Sequence, residues 1–181
     1  MKIRVITAQT EPSPSPIEET TQKVEQTSEA MNANGKEELV RELLAQYNSE
    51  IETAMNYLAI SENLKGIRAS IINEALAADV DVEMGHAKTI AKRLKVLGVP
   101  VPCSLHFKAE QAFFRHDKHS DIIAVIKGVI EAEAGAVARY KKIITIADSL
   151  EDWATVDEMS PIMNDEENHR REFLDFLKEF K

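Results

Sequence analysis

The sequence predicts an all-α protein: a four-helix bundle with one long crossover between its second and third helices. Three observations lead there. Four segments after Lys36 repeat apolar residues at the three- and four-residue spacing of a helix that buries one face. Two links between these segments are tight turns, and one, between residues 98 and 121, is long. Six Gly, six Pro and 6% aromatic residues among 181 leave too few turn formers for an all-β fold.

The first helix is predicted over about 36–65, apolar at Leu39, Leu43, Tyr47, Ala54 and Leu58, with Gly66 as its stop. The second covers about 67–97 through Ile72, Leu76, Val80, Ala87, Ile90, Leu94 and Leu97, and Gly98 with Pro100 ends it. The third starts at Asp121 behind Ser120 and carries Ile122, Ile126, Val129, Ala136, Tyr140 and Ile144 to about Ser149. The fourth covers about 153–180, with Val156, Ile162, Phe173, Leu174 and Leu177. Pro161 lies inside it, which predicts a kink or a short lead-in helix. The crossover VPVPCSLHFKAEQAFFRHDKHS is long for a loop and is expected to be partly helical. Its His106, His116 and His119 read as a solvated polar loop rather than a metal site, and Cys103 as a buried or half-exposed hydrophobe.

Residues 1–35 read differently from 36–181. Pro12, Pro14 and Pro16 stand among Thr, Gln, Ser and Glu with little apolar periodicity, the composition of a tail, flexible or docked on a partner subunit through a strand at Lys2–Thr7. With Lys2, Arg4 and Lys23 as its cations, it is not expected to bind DNA.

Composition narrows the function. The net charge is −9, from 22 basic and 31 acidic residues, which favours cations as partners over nucleic acid. The longest apolar run, Ile122 to Ile130, is broken by Lys127 and is too short for a membrane span. The start, MKIRVITAQTEPSPSP, has too short an apolar stretch for a secretory signal, so a cytoplasmic location is expected. The lone Cys103 excludes an intrachain disulfide and a cysteine-built zinc or iron–sulfur site.

The buried stripes carry the chemistry. Glu50 interrupts the apolar stripe of the first helix and Glu133 that of the third. The second holds Glu83 and His86, the fourth Glu166 and His169, each pair spaced to share one helix face. Glu50 and Glu83 are 33 residues apart, and so are Glu133 and Glu166. The midpoint of the first pair falls at Gly66 and that of the second at Ser149–Leu150, the two turns. Each Glu then sits about 16 residues, or roughly 24 Å at 1.5 Å per residue, below its turn. Both hairpins converge on one level of the core.

Four buried carboxylates require compensating cations or protons. Carboxylate oxygens with imidazole suit iron or manganese, and two divalent ions neutralise four carboxylates. Redox metal beside few protonatable groups points to oxidation with O2 or H2O2.

With these residues in view, the chain resembles the ferritin-like superfamily over about residues 38–180, and bacterioferritin within it. The family motif is matched by Glu50, by Glu83 with His86, by Glu133, and by Glu166 with His169, inside the words NSEIETAMNYL, VEMGHA and NDEENH. The resemblance implies that Glu83 and Glu166 bridge two irons, with Glu50 and His86 on one and Glu133 and His169 on the other. It implies for Tyr57 a role as electron donor or hydrogen-bond partner, and for Met84 the position of a haem b ligand shared across a two-fold axis. An interface methionine is the plainer reading of Met84. Twelve residues follow His169, which leaves no room for bacterioferritin's fifth helix. The chain is also similar to Dps-like mini-ferritins with a bacterioferritin-type site, although their cysteine pair is not matched, Gly135 standing where the second would be. The assembly implied is a homo-oligomer, a dimer at minimum, with twelve subunits favoured over twenty-four.

The resemblance thus implies a ferroxidase that oxidises Fe(II) with O2 or H2O2 for iron storage or detoxification. The alternative is a di-iron or di-manganese peroxidase resembling rubrerythrin, without storage. Rubrerythrin adds a Glu three residues after its third-helix ligand, where this chain has Ala136.

Overall fold

The computed structural model describes residues 16–112, 114 and 121–180, the backbone alone over 16–31. The chain divides into two units, Met1–Asn34 and Gly35–Lys181. Described residues of the first unit are helical backbone, and the second unit holds the bundle. The predicted strand at Lys2–Thr7 lies outside the described residues.

The order of elements is α1 (Pro16–Asn63), a 3-10 turn at Ile67–Ala69, α2 (Ser70–Val96), a 3-10 turn at Ser104–His106, α3 (Ile122–Ser149) and α4 (Trp153–Glu179). The described residues form four long helices and no strand, the predicted all-α architecture. Among them, no helix is long and apolar enough to cross a membrane.

Helix ends follow local chemistry. Pro16 opens α1 well before the predicted start, a position where its missing N–H costs nothing. Gly66 turns the first hairpin at φ +119°, and Gly98 leaves α2 at φ +76°, conformations that side chains disfavour. Asp121 caps α3 by accepting the Ala124 N–H at 3.1 Å, so it precedes the helix rather than opening it. Asp152 caps α4 through Thr155 N–H at 3.2 Å.

Two expectations of local structure meet the observed elements. Of the two outcomes expected at Pro161, a separate lead-in helix does not form, since α4 runs as one helix from Trp153 to Glu179. Among its described residues the crossover holds the 3-10 turn Ser104–His106, in keeping with the partial helicity expected, and side chains of α1 hold part of its irregular backbone. The Glu52 carboxylate accepts N–H bonds from Glu110 and Gln111 at 2.8–2.9 Å. Gln111 in turn donates to Thr53 Oγ1 at 2.7 Å and accepts from Asn56 at 2.8 Å. Cys103 is exposed rather than buried, its sulfur 3.4 Å from Nδ1 of the exposed His106. His116 and His119 lie outside the described residues.

The core has two apolar layers. One gathers Tyr57, Ile60, Leu76, Ile126, Val129 and Phe173 among others, and the second Leu39, Leu43, Ile90, Tyr140, Ile143 and Met159. Leu58, predicted on the inward stripe, is 54% exposed, and Tyr57 takes its place. Likewise Ile143 is the buried residue beside the half-buried Ile144. The inward register is set by Glu50 and Glu133, and apolarity alone selects a neighbour one position off.

Candidate metal centre

The two apolar layers leave a polar belt between them. On every helix a carboxylate stands seven residues from a fully buried apolar or aromatic side chain in each direction. The flanking pairs are Leu43 and Tyr57 around Glu50, Leu76 and Ile90 around Glu83, Ile126 and Tyr140 around Glu133, and Met159 and Phe173 around Glu166. Seven residues are nearly two helical turns, about 10 Å, so each carboxylate faces inward at the same level with its solvent routes along the bundle axis closed. Glu50, Glu83, Glu133 and Glu166 are each 1% exposed or less, and His86 is also buried.

The six predicted residues meet there. Glu50, Glu83, His86 and Glu166 form one group, and Glu83, Glu133, Glu166 and His169 a second, with one ligand atom from each residue within 4.8 Å of the others. Glu83 and Glu166 belong to both. Their oxygens divide between the histidines. Glu83 Oε2 lies 3.8 Å from His86 Nδ1 while Oε1 lies 3.7 Å from His169 Nδ1. Glu166 Oε1 lies 3.1 Å from His86 Nδ1 while Oε2 lies 3.8 Å from His169 Nδ1. The two imidazole rings face each other 6.5 Å apart at 25°.

Hydrogen bonding inside the belt is incomplete. Glu83 Oε1, both oxygens of Glu166, and Nδ1 of His86 and of His169 are buried without a hydrogen-bond partner. Orphaned polar atoms at this depth are costly unless a cation gathers them. The donor set, carboxylate oxygens and imidazole nitrogens arranged around two points, fits two divalent ions of the iron or manganese type.

Charge within the belt reflects burial and crowding. Burial raises the Glu83 and Glu133 carboxyls well above their ordinary range, and the neighbouring carboxylates Glu50 and Glu166 respectively add to it. Burial, then Glu50, pushes Glu166 up to about 7. Burial opposes charge on His86, yet Glu166, Glu50 and Glu83 outweigh it and hold the imidazole up to about 12. Glu50 is held below its ordinary value despite burial, by Glu83, His86 and the Tyr140 hydroxyl. The metal-free belt therefore stores protons that cations would displace.

Around the six stand residues of two kinds. Tyr57 on α1 donates its hydroxyl to Glu133 Oε1 on α3, and Tyr140 on α3 donates to Glu50 Oε1 on α1. Burial, then the acceptor carboxylate, raises both phenols well above their usual value, so they stay neutral donors. Beyond the imidazoles, His86 Nε2 lies 3.7 Å from Asp165 and His169 Nε2 lies 3.7 Å from Asp79. With Nε2 on the aspartate side, Nδ1 is the ring nitrogen that faces the carboxylates of the belt. Met84 lies half-buried and outside both groups.

Tyr140, Asp79 and Asp165 escape a reading of the sequence alone. For Tyr140 a signal exists: Tyr57 and Tyr140 are 83 residues apart, the offset that relates Glu50 to Glu133 and His86 to His169. The aspartates share no such offset and emerge from the helix–helix register alone.

Comparisons with known proteins bear on the family and the fold. The family model described as ferritin-like domain matches residues 40–181. A crystal structure of ferritin-like, diiron-carboxylate proteins from Bacillus anthracis str. Ames superposes with a TM-score of 0.69 at 22% identity, over 79% of this chain and 97% of that one. A protein from Xanthomonas campestris pv. campestris superposes with a TM-score of 0.67 at 17% identity, over 81% of this chain and 92% of that one. At such identities the likeness is one of fold. Among curated proteins there is no match.

Proposed function

We propose a ferroxidase on the following premise: this chain belongs to the ferritin-like domain family. Within that family, the reading is of a bacterioferritin-like or mini-ferritin-like protein that takes two Fe(II) ions as substrate, in the cytoplasm, for storage or detoxification. The observation that carries it is the division of oxygens in Glu83 and Glu166, one toward each histidine, which suits a pair of bridging carboxylates. Glu50 and His86 would complete one iron position, and Glu133 and His169 the other.

The electrons balance with two irons. Each Fe(II) gives one electron; O2 accepts both with two protons and leaves as H2O2, or H2O2 accepts both with two protons and leaves as two waters. Bound iron supplies this redox step, which carboxylates and imidazoles cannot. The chain's own residues bind, orient and exclude water. Glu83, Glu133 and Glu166 release their stored protons as the irons bind. Tyr57 and Tyr140 hold Glu133 and Glu50 from one oxygen each, leaving the other for iron. Asp165 and Asp79 lie on the Nε2 side of the imidazoles, whose Nδ1 would face the irons. Leu43, Tyr57, Met159 and Phe173 keep bulk water away along the bundle axis.

The test is anaerobic Fe(II) titration followed by stopped-flow oxidation with O2 and then H2O2. Saturation near two Fe(II) per chain and fast oxidation are expected. Glu83→Ala removes an anion shared by both positions, so both lose iron and fast oxidation disappears. His169→Ala leaves one position largely filled and still cripples the two-electron step. Glu131→Ala, on an exposed position two residues from Glu133, changes neither rate nor stability beyond about 0.5 kcal/mol. Oxidation unaffected by Glu83→Ala would overturn the ligand set. Fast peroxide turnover with no retained iron would favour the rubrerythrin-like peroxidase instead.

Assembly belongs to the same proposal. Met55, Leu58 and Ile71 are large apolar side chains more than half exposed on the helices of the first hairpin, a surface that suits a second copy of this chain. A homodimer is the minimum unit, and a twelve-subunit particle is expected from the mini-ferritin resemblance. Haem b at Met84 needs the partner's Met84 as well, so a Soret band in the purified dimer decides that point.

A further inference from the structure

The two halves of the belt repeat at an offset of 83 residues in Glu, Tyr and Glu-x-x-His alike, and they differ at the buried position one turn before the terminal carboxylate. Gln46 stands where the other half has Val129. Both are fully buried. An amide at that depth is costly unless it is bonded, and Gln46 spends its donor on one acceptor: Nε2 lies 2.6 Å from Glu50 Oε1. Its own Oε1 has no partner. A residue that leaves its acceptor unused is held by what its donor does.

Glu50 Oε1 therefore receives two donors, the Gln46 amide and the Tyr140 hydroxyl. Its second oxygen, Oε2, is turned toward His86, 3.8 Å from Nδ1. Glu133 receives the Tyr57 hydroxyl on Oε1, and at the position equivalent to Gln46 the aliphatic Val129 can donate nothing. One terminal carboxylate thus receives two side-chain donors on one oxygen while the other faces its histidine, and its counterpart receives the tyrosine donor without an amide beside it.

We propose that Gln46 is a positioning residue that makes the two metal positions unequal, the one at Glu50 and His86 filling first and more tightly. The inference rests on the di-metal reading above. A carboxylate already fixed in its binding orientation loses less freedom when a cation arrives, and supporting bonds of this kind typically carry about ten- to hundredfold in metal affinity. Charge balance then makes the second ion depend on the first, because Glu83 and Glu166 are shared.

The experiment is titration of the full chain with Co(II) alone, followed by calorimetry and by the visible ligand-field bands. The wild type is expected to bind two Co(II) per chain in two resolved steps, with His86→Ala removing the tighter and His169→Ala the weaker. Gln46→Met keeps volume and removes the donor, and should weaken the tighter step about tenfold while the weaker step stays in place. Tyr140→Phe should act on the tighter step and Tyr57→Phe on the weaker. Gln46→Val, which copies the other half, backs up the Met variant, and unchanged helicity by circular dichroism shows that both are folded. Two steps in the wild type with neither altered by Gln46→Met, or both weakened equally, would overturn the inference and leave the di-metal reading intact. Fewer than two Co(II) per wild-type chain would overturn that reading and this inference with it.

Discussion

A carboxyl group that loses water on every side keeps a proton unless a cation takes its place. Glu83, Glu133 and Glu166 are in that condition in the metal-free protein, Glu166 up to about 7 against 4.5 in an unfolded chain. Above 4.5 the unfolded chain has released protons that the folded one still holds, so stability falls as pH rises through the folded values. His86 acts with the same sign. Its contribution is full below 6.5 and is lost as pH rises toward about 12. Within the belt Glu50 opposes this, contributing above 4.5 and losing its share only at lower pH. The metal-free melting temperature should accordingly decline from about pH 5 to about pH 8 in a chelator-treated sample. Saturating Mn(II) should reverse the slope, since cations displace those protons more readily at higher pH. Scanning fluorimetry across the range checks both, and a flat metal-free profile would mean that the carboxylates do not crowd one another.

At the scale of elements, polar contacts at the helix ends decide where the hairpins stop and how the crossover lies. Arg93, near the end of α2, donates to Thr155 Oγ1 at 2.6 Å and also to Asp152, the cap of α4. Thr155 Oγ1 donates to Asp152 Oδ2 at 2.6 Å, closing a buried triangle between the two helices. Arg93→Met keeps much of the side-chain volume and leaves Asp152 without its cation. Because Asp152 retains some contact with water, the loss should be about 2 kcal/mol rather than the larger cost of stripping a fully buried pair. A shifted urea midpoint with an unchanged metal stoichiometry is the expected result, since the triangle lies beyond the apolar layer of Leu94, Met159 and Ile162. Unbroken α4 through Pro161 belongs to the same scale. The helix on both sides of the proline is anchored by Met159, Ile162, Glu166 and Phe173, and that burial offsets one missing N–H.

For the whole molecule, the question is what covers the first hairpin. Met55 is 58% exposed and Leu58 54%, both on α1 and both off the belt. Replacing both with Glu places charge on the proposed dimer surface without touching the proposed metal positions. Light scattering should show the wild type as a dimer or a larger particle and the double variant as a monomer, with Co(II) stoichiometry unchanged. A monomeric wild type at micromolar concentration would remove the assembly proposal and leave the chemistry of the belt unaffected.

Spacing along the chain is enough to fix the class of fold and the level at which the six Glu and His residues of the belt meet. Equal Glu–Glu spacing around two turns is a length constraint, and antiparallel helices convert equal length into equal height. Glu50, Glu83, His86, Glu133, Glu166 and His169 follow from it. Tertiary structure decided everything that depends on rotation about a helix axis. Apolarity cannot tell Tyr57 from Leu58 as the inward residue, because both satisfy a helical stripe; the packing of four helices around Glu50 and Glu133 turns Tyr57 in and Leu58 out. It brought Tyr140 to Glu50, Asp165 to His86 and Asp79 to His169, contacts between helices whose relative rotation no single stripe encodes. It also buried Gln46 beside Glu50, although its residue type reads as an ordinary polar position of an exposed face. The reason is common to all five: spacing along one chain fixes height in the bundle, and azimuth is fixed only when the neighbouring helices are in contact.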